Sequence, residues 1–192
     1  MLRCTIIVTG TPGTGKTVIA KRLAKEIGAS YISLAELATE HRLFSGSDIK
    51  RGSKIVDVAK ARLKLVSLLR HGGLTVVDTH LPEGIVPEKM TKQVLVLRCH
   101  PRILETRLRA RGWKSNKIQE NVLAELLDSC LVASVEHYGR RRVVQLDTSR
   151  TSLKHSVSLA KRLVTHRSSL RKIKVDWITT LEREGQSGRY LT

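Results

Sequence analysis

The string Gly10-Thr11-Pro12-Gly13-Thr14-Gly15-Lys16-Thr17 follows an apolar run from Cys4 to Thr9 and opens an amphipathic segment. Glycines at these spacings let successive backbone N–H groups curl around a polyphosphate, while a helix starting at Lys16 turns its positive end toward the same anion. The order strand, glycine-rich loop, helix, with every fixed position filled, is that of a complete P-loop, and it predicts a purine nucleotide ligand. Lys16 is then expected to reach the β- and γ-phosphates. Thr17 is expected to hold Mg²⁺ through its hydroxyl, the ion bridging those phosphates.

Apolar strands alternate with helical stretches as far as about Thr148, which predicts an α/β fold with a parallel sheet wrapped by helices. The strands are read as Cys4 to Thr9, Ser30 to Ser33, Leu74 to Asp78, Val94 to Arg98 and Arg142 to Leu146. Helices are expected over Lys16 to Ile27, Leu34 to His41, Ile55 to Arg70, Pro101 to Arg111 and Lys117 to Val135, with a polar loop from Phe44 to Ser53. Two more helical segments, Leu153 to Thr165 and Ser169 to Glu184, precede a Gly-rich polar end expected to lack order. The chain thus divides into one domain over residues 1–150 and a basic helical extension over 151–192.

With 192 residues and 41% hydrophobic content, one sizeable core is within reach. No apolar run approaches the length of a bilayer span and no leader pattern opens the chain, so a cytoplasmic protein without membrane contact is expected. The three cysteines, Cys4, Cys99 and Cys130, form no C-x-x-C pair and read as reduced structural thiols. Thirty-five basic against 17 acidic residues give a net charge of +18, spread along the whole chain. That excess exceeds what phosphate binding needs and predicts a polyanionic partner such as RNA.

Asp78 ends a buried apolar run, where the carboxyl end of a parallel strand meets the ligand crevice; it is the expected second ligand to magnesium. His80, two residues on, projects to the same side if the chain stays extended and is a candidate for orienting water or phosphate. Arg98, Arg102, Arg107, Arg109 and Arg111 form a dense set of guanidinium groups on a strand end and the following helix. Phosphoryl transfer relies on such cations, and Arg111, at the helix end, is placed to swing over bound ATP.

Together with the P-loop, V-V-D-T-H at 76–80, V-L-R at 96–98 and R-L-R-A-R-G-W-x-x-x-K-I-Q-E-N at 107–121 carry a resemblance. The chain resembles the adenylate kinase isoenzyme 6 family from Leu2 to about Thr148, with a weaker echo at Val175 to Ile178. The resemblance implies a P-loop NTPase three-layer fold with five parallel strands, a monophosphate-binding region over 30–53 and a short lid over 111–121. It implies ATP held by Gly13, Gly15, Lys16, Thr17, Val18 and Arg111, AMP held by Leu34, Arg42 and Arg98, and Asp78 with His80 serving magnesium and water. It further implies broad-specificity AMP phosphorylation together with ATP hydrolysis. The partners it implies are ribosomal RNA and a platform protein of the small ribosomal subunit, whose maturation such proteins serve. One departure is Thr39, where relatives can carry an arginine; Arg42 is the candidate replacement. A small-molecule kinase acting on a metabolite hydroxyl is the alternative.

Overall fold

The computed structural model describes residues 4–48, 53–71, 73–81, 84–165, 174–186, 188 and 190. In chain order it comprises β1 (Thr5–Gly10), α1 (Lys16–Glu26), β2 (Ser30–Ser33), α2 (Leu34–Glu40), β3 (Phe44–Asp48), β4 (Ser53–Val56) and α3 (Val58–His71). These are followed by β5 (Thr75–Asp78), β6 (Thr91–Arg98), α4 (Pro101–Ala110), α5 (Ser115–Leu126), α6 (Ser129–Tyr138), β7 (Val143–Asp147), α7 (Leu153–Thr165) and α8 (Trp177–Arg183). Five strands form one parallel sheet in the order β2-β5-β1-β6-β7. The expected fold class is therefore the observed one.

Alternating residues of the central strands feed two cores, as a sheet buried on both faces requires. Ile6, Val8, Leu95 and Leu97 pack with Leu23 of α1 and Leu163 of α7 on one face. Ile7, Val77, Val94 and Val96 pack with Leu65 of α3 and Leu131 of α6 on the other. All strands run the same way, so their carboxyl ends converge on one edge, where Gly10, Asp78 and Arg98 emerge together.

Three expectations change. The stretch expected as a polar loop contains strand: Phe44–Asp48 (β3) pairs antiparallel with Ser53–Val56 (β4), with Ser47 opposite Lys54 and Gly46 opposite Ile55, residues 49–52 lying outside the described residues, and the helix expected from Ile55 begins at Val58. Backbone pairing stabilises this hairpin where its polar side chains signalled a loop. The long helix over Lys117 to Val135 is two, because Asp128 adopts a left-handed conformation (φ 56°) and turns its carboxylate to Arg98. The boundary at 150 cuts through the core, since α7 buries Val157, Ala160, Leu163 and Val164. α7 packs into the same core as β1, β6 and α1. Of the second tail helix expected over Ser169 to Glu184, residues 169–173 lie outside the described residues, as does much of the polar end; the helix seen there, α8, begins only at Trp177.

Candidate functional site

Gly13 and Gly15 take φ values of 98° and 95°, a region L side chains rarely occupy. A Cβ on Gly13 would lie 2.6 Å from Leu104 Cδ1, so the loop also needs the missing side chain to pack on α4. Inside the turn the Thr11 carbonyl accepts from Thr14 N at 3.2 Å, Thr14 Oγ1 at 2.8 Å and Lys16 Nζ at 3.1 Å. Burial lowers the Lys16 pKa, opposed by the negative charge of Asp78.

From the end of β5, the buried Asp78 carboxylate accepts from Thr17 Oγ1 at 2.7 Å and from Tyr31 of β2 at 3.3 Å. Burial, then the Asp78 charge, pushes the Tyr31 phenol far up, so it remains a donor. His80 lines the same cleft from its rim. Desolvation within the site and the Lys16 charge lower the His80 pKa, opposed by the negative charge of Asp78.

A cleft of about 900 Å³ opens above these groups. The P-loop residues Gly13, Gly15, Lys16, Thr17 and Val18 line its floor, with Asp78 and His80 beside them. Arg111, at the C-terminus of α4, reaches it from the lid side with Trp113 and Lys117, the Lys117 ammonium lying 4.5 Å from the Trp113 ring centre. Lys54 and Ile55 of the hairpin form the opposite wall.

The residues expected to hold AMP are not gathered here. Arg98 is 1% exposed: its guanidinium donates to Glu125 at 2.8 Å, to Gln145 at 2.8 Å and to Asp128. It is a buried structural cation, since a charge removed from water must be paired. Leu34 is a core residue at 1% exposure, leaving its neighbours Ser33 and Ala35 on the cleft. Arg42 is exposed after α2 with φ 53° and does not line the cleft. Arg107 donates to the Thr148 carbonyl at 2.7 Å and Arg109 to Glu105 at 2.8 Å, so these two support the fold.

Lys54 and Glu125 stand outside the residues expected from the sequence, and Lys117 and Trp177 enter there only as letters of the family strings, with no role of their own. Glu125 did leave a signal, since it shares the apolar stripe of Ile118, Val122 and Leu126, an improbable place for an unpartnered acid.

P-loop, strand-end carboxylate and two cation-bearing flaps over one cleft define a P-loop kinase. Residues 6–128 match the family model described as an AAA domain. A protein of Methanocaldococcus jannaschii named "Putative adenylate kinase" is 31% identical over 172 residues, covering 90% of this chain and 92% of that one. The Saccharomyces cerevisiae "Adenylate kinase isoenzyme 6 homolog FAP7" is 38% identical over 144 residues, covering 74% and 72%. The chain belongs to the adenylate kinase isoenzyme 6 family. Among solved structures, shikimate kinase from Acinetobacter baumannii in complex with shikimate shares the fold at a TM-score of 0.60 and 13% identity, over 88% of this chain and 95% of that one. Among the described residues, no helix is long and apolar enough to cross a membrane.

Proposed function

We propose that this protein transfers the terminal phosphoryl group of Mg-ATP to AMP, and hydrolyses ATP when water takes the acceptor's place. The observation that carries this reading is the Thr17–Asp78 hydrogen bond of 2.7 Å beside Lys16, set in a cleft that also receives Arg111 and Lys117 from the lid. In phosphoryl transfer the protein does little covalent work; cations around the moving group and exclusion of water supply the catalysis.

Magnesium fits this pair of residues, which offers the hydroxyl and carboxylate oxygens that a hard divalent ion prefers, with phosphates and water completing its shell. When bound, the ion would neutralise charge between the β- and γ-phosphates. Lys16 and Arg111 would hold the phosphate tail, Val18 and Gly15 would line its path, and Lys54 on the hairpin would face the acceptor. His80, kept neutral by its surroundings, would accept a proton from attacking water. The net charge of +18 and the family resemblance support a further role on ribosomal RNA and a small-subunit platform protein.

The test is a product assay with purified protein, Mg-ATP and, in turn, AMP, the other monophosphates or water alone. ADP formed in twice the amount of ATP consumed, only with AMP, is the expected signature of transfer. Phosphorylation of a metabolite hydroxyl with no turnover of any monophosphate would favour the alternative kinase.

A further inference from the structure

Glu125, 2% exposed, accepts hydrogen bonds from four residues on three separate segments of the chain. Thr11 Oγ1 of the P-loop donates at 2.6 Å, Arg98 Nε at 2.8 Å, the Cys99 amide at 3.1 Å and Trp177 Nε1 of α8 at 2.9 Å. Neutralising Arg98 does not require so many donors, because Arg98 is also bonded to Asp128 and Gln145. The indole is fixed independently: its ring lies 5.9 Å from the Arg98 guanidinium and edge-on to His100 at 5.4 Å. Glu184, just past α8, brings its carboxylate 3.2 Å from His100 Nε2, near enough for an ion pair though poorly angled for a hydrogen bond.

Thr11 is where this buried cluster meets the nucleotide site. Its hydroxyl is held by Glu125, while its carbonyl accepts from Thr14 and from Lys16 Nζ at 3.1 Å. An unbroken run of hydrogen bonds therefore joins the α8 indole, through Glu125 and Thr11, to the P-loop lysine. We infer that α8 braces the nucleotide site: Trp177, acting through Glu125, positions Thr11 and the loop around it, so seating of the C-terminal segment and binding of ATP favour one another. Removing one donor from a buried carboxylate leaves part of its hydrogen-bonding capacity unmet, and Glu125 then shifts toward Arg98 and relaxes its hold on Thr11. Coupling of this kind is reciprocal, so nucleotide must also tighten α8.

Trp177 and Glu125 are thus positioning residues, and the inference rests on the P-loop being the triphosphate site. The test combines Trp177→Phe, which removes the N–H and keeps a ring, with Thr11→Val, which removes the hydroxyl and keeps the shape. ATP affinity is read by calorimetry well below each variant's unfolding midpoint. Each single variant should bind about tenfold more weakly, as for one lost hydrogen bond to a charged group, and the double variant no worse than either. In the unaltered protein, Mg²⁺ with a non-hydrolysable ATP analogue should slow hydrogen exchange across α8, and Thr11→Val should abolish that effect. Native affinity in folded Trp177→Phe, additive losses, or α8 exchange indifferent to nucleotide would overturn the brace. The exchange experiment on unaltered protein decides the matter even if Trp177→Phe does not fold. No triphosphate binding by the native chain would instead overturn the nucleotide site itself.

Discussion

Lys16 and His80 line the same cleft, and their charges are linked: the lysine is one of the reasons the imidazole is held below its ordinary pKa. Replacing Lys16 by alanine removes the cation that meets the β- and γ-phosphates, so AMP phosphorylation and ATP hydrolysis should both fall by about 100-fold or more in a coupled ADP assay. His80→Ala should separate them, lowering hydrolysis more than transfer, since only water needs a base. The sign of the pH dependence follows from the direction of the shift. A depressed pKa leaves His80 neutral at pH 7 and down to below about 6.5, the free-histidine value. Hydrolysis should therefore hold level through neutrality and decline only below that value; an acid limb at or above it would take the proton off His80's account. That Lys16, Thr17, Asp78 and His80 share one cleft was legible in the sequence, because strand–loop–helix order fixes where the ends of parallel strands point. Arg98 misled for the same reason: it sits at such a strand end, but Glu125 and Asp128, which draw it inward, are remote in sequence.

At the scale of elements, α1, β1, β5 and β7 followed from apolar periodicity and glycine stops, whereas β3 and β4 did not, because cross-strand pairing leaves no local mark in a Ser-, Gly- and Asp-rich segment. The hairpin matters functionally through Lys54. Lys54→Ala should raise the KM for the acceptor monophosphate several-fold, while ATP hydrolysis without acceptor stays near native, because Lys54 lines the cleft from the β3–β4 pair and not from the P-loop. A rise confined to the KM for ATP would move Lys54 to the donor side. Helix α7 carries a different lesson. Its boundaries, Leu153–Thr165, were readable from its amphipathic pattern, but its partner face was not, and what looked like an appendage closes the core against α1. Leu163, 3% exposed, should cost about 2–5 kcal/mol when cut to alanine, measured by urea unfolding, the ordinary range for a buried leucine.

For the whole molecule, the placement of α7 redistributes the charge. Six basic and three acidic residues follow Thr165, so 15 of the 18 net positive charges belong to the P-loop domain and only three to the remainder. A polyanion would thus find most of its attraction on the domain that also binds nucleotide, and a short basic stretch at 167, 171 and 172, between α7 and α8, would add to it. Removing the whole segment is a poor test, because it would take Trp177 and the support of Thr11 with it. Replacing Arg167, Arg171 and Lys172 together by glutamine neutralises the stretch and leaves α8 in place. Each cation that meets a phosphate of single-stranded RNA contributes about 0.7 to the slope of log K against log salt. The triple variant should therefore bind ribosomal RNA fragments with a slope shallower by about 2 while retaining ATP affinity, and binding should survive on the charge of the domain. An unchanged slope would assign RNA contact to the domain alone. Complete loss of RNA binding would show that the 15 charges are spread too thinly to hold a polyanion without the stretch beyond α7.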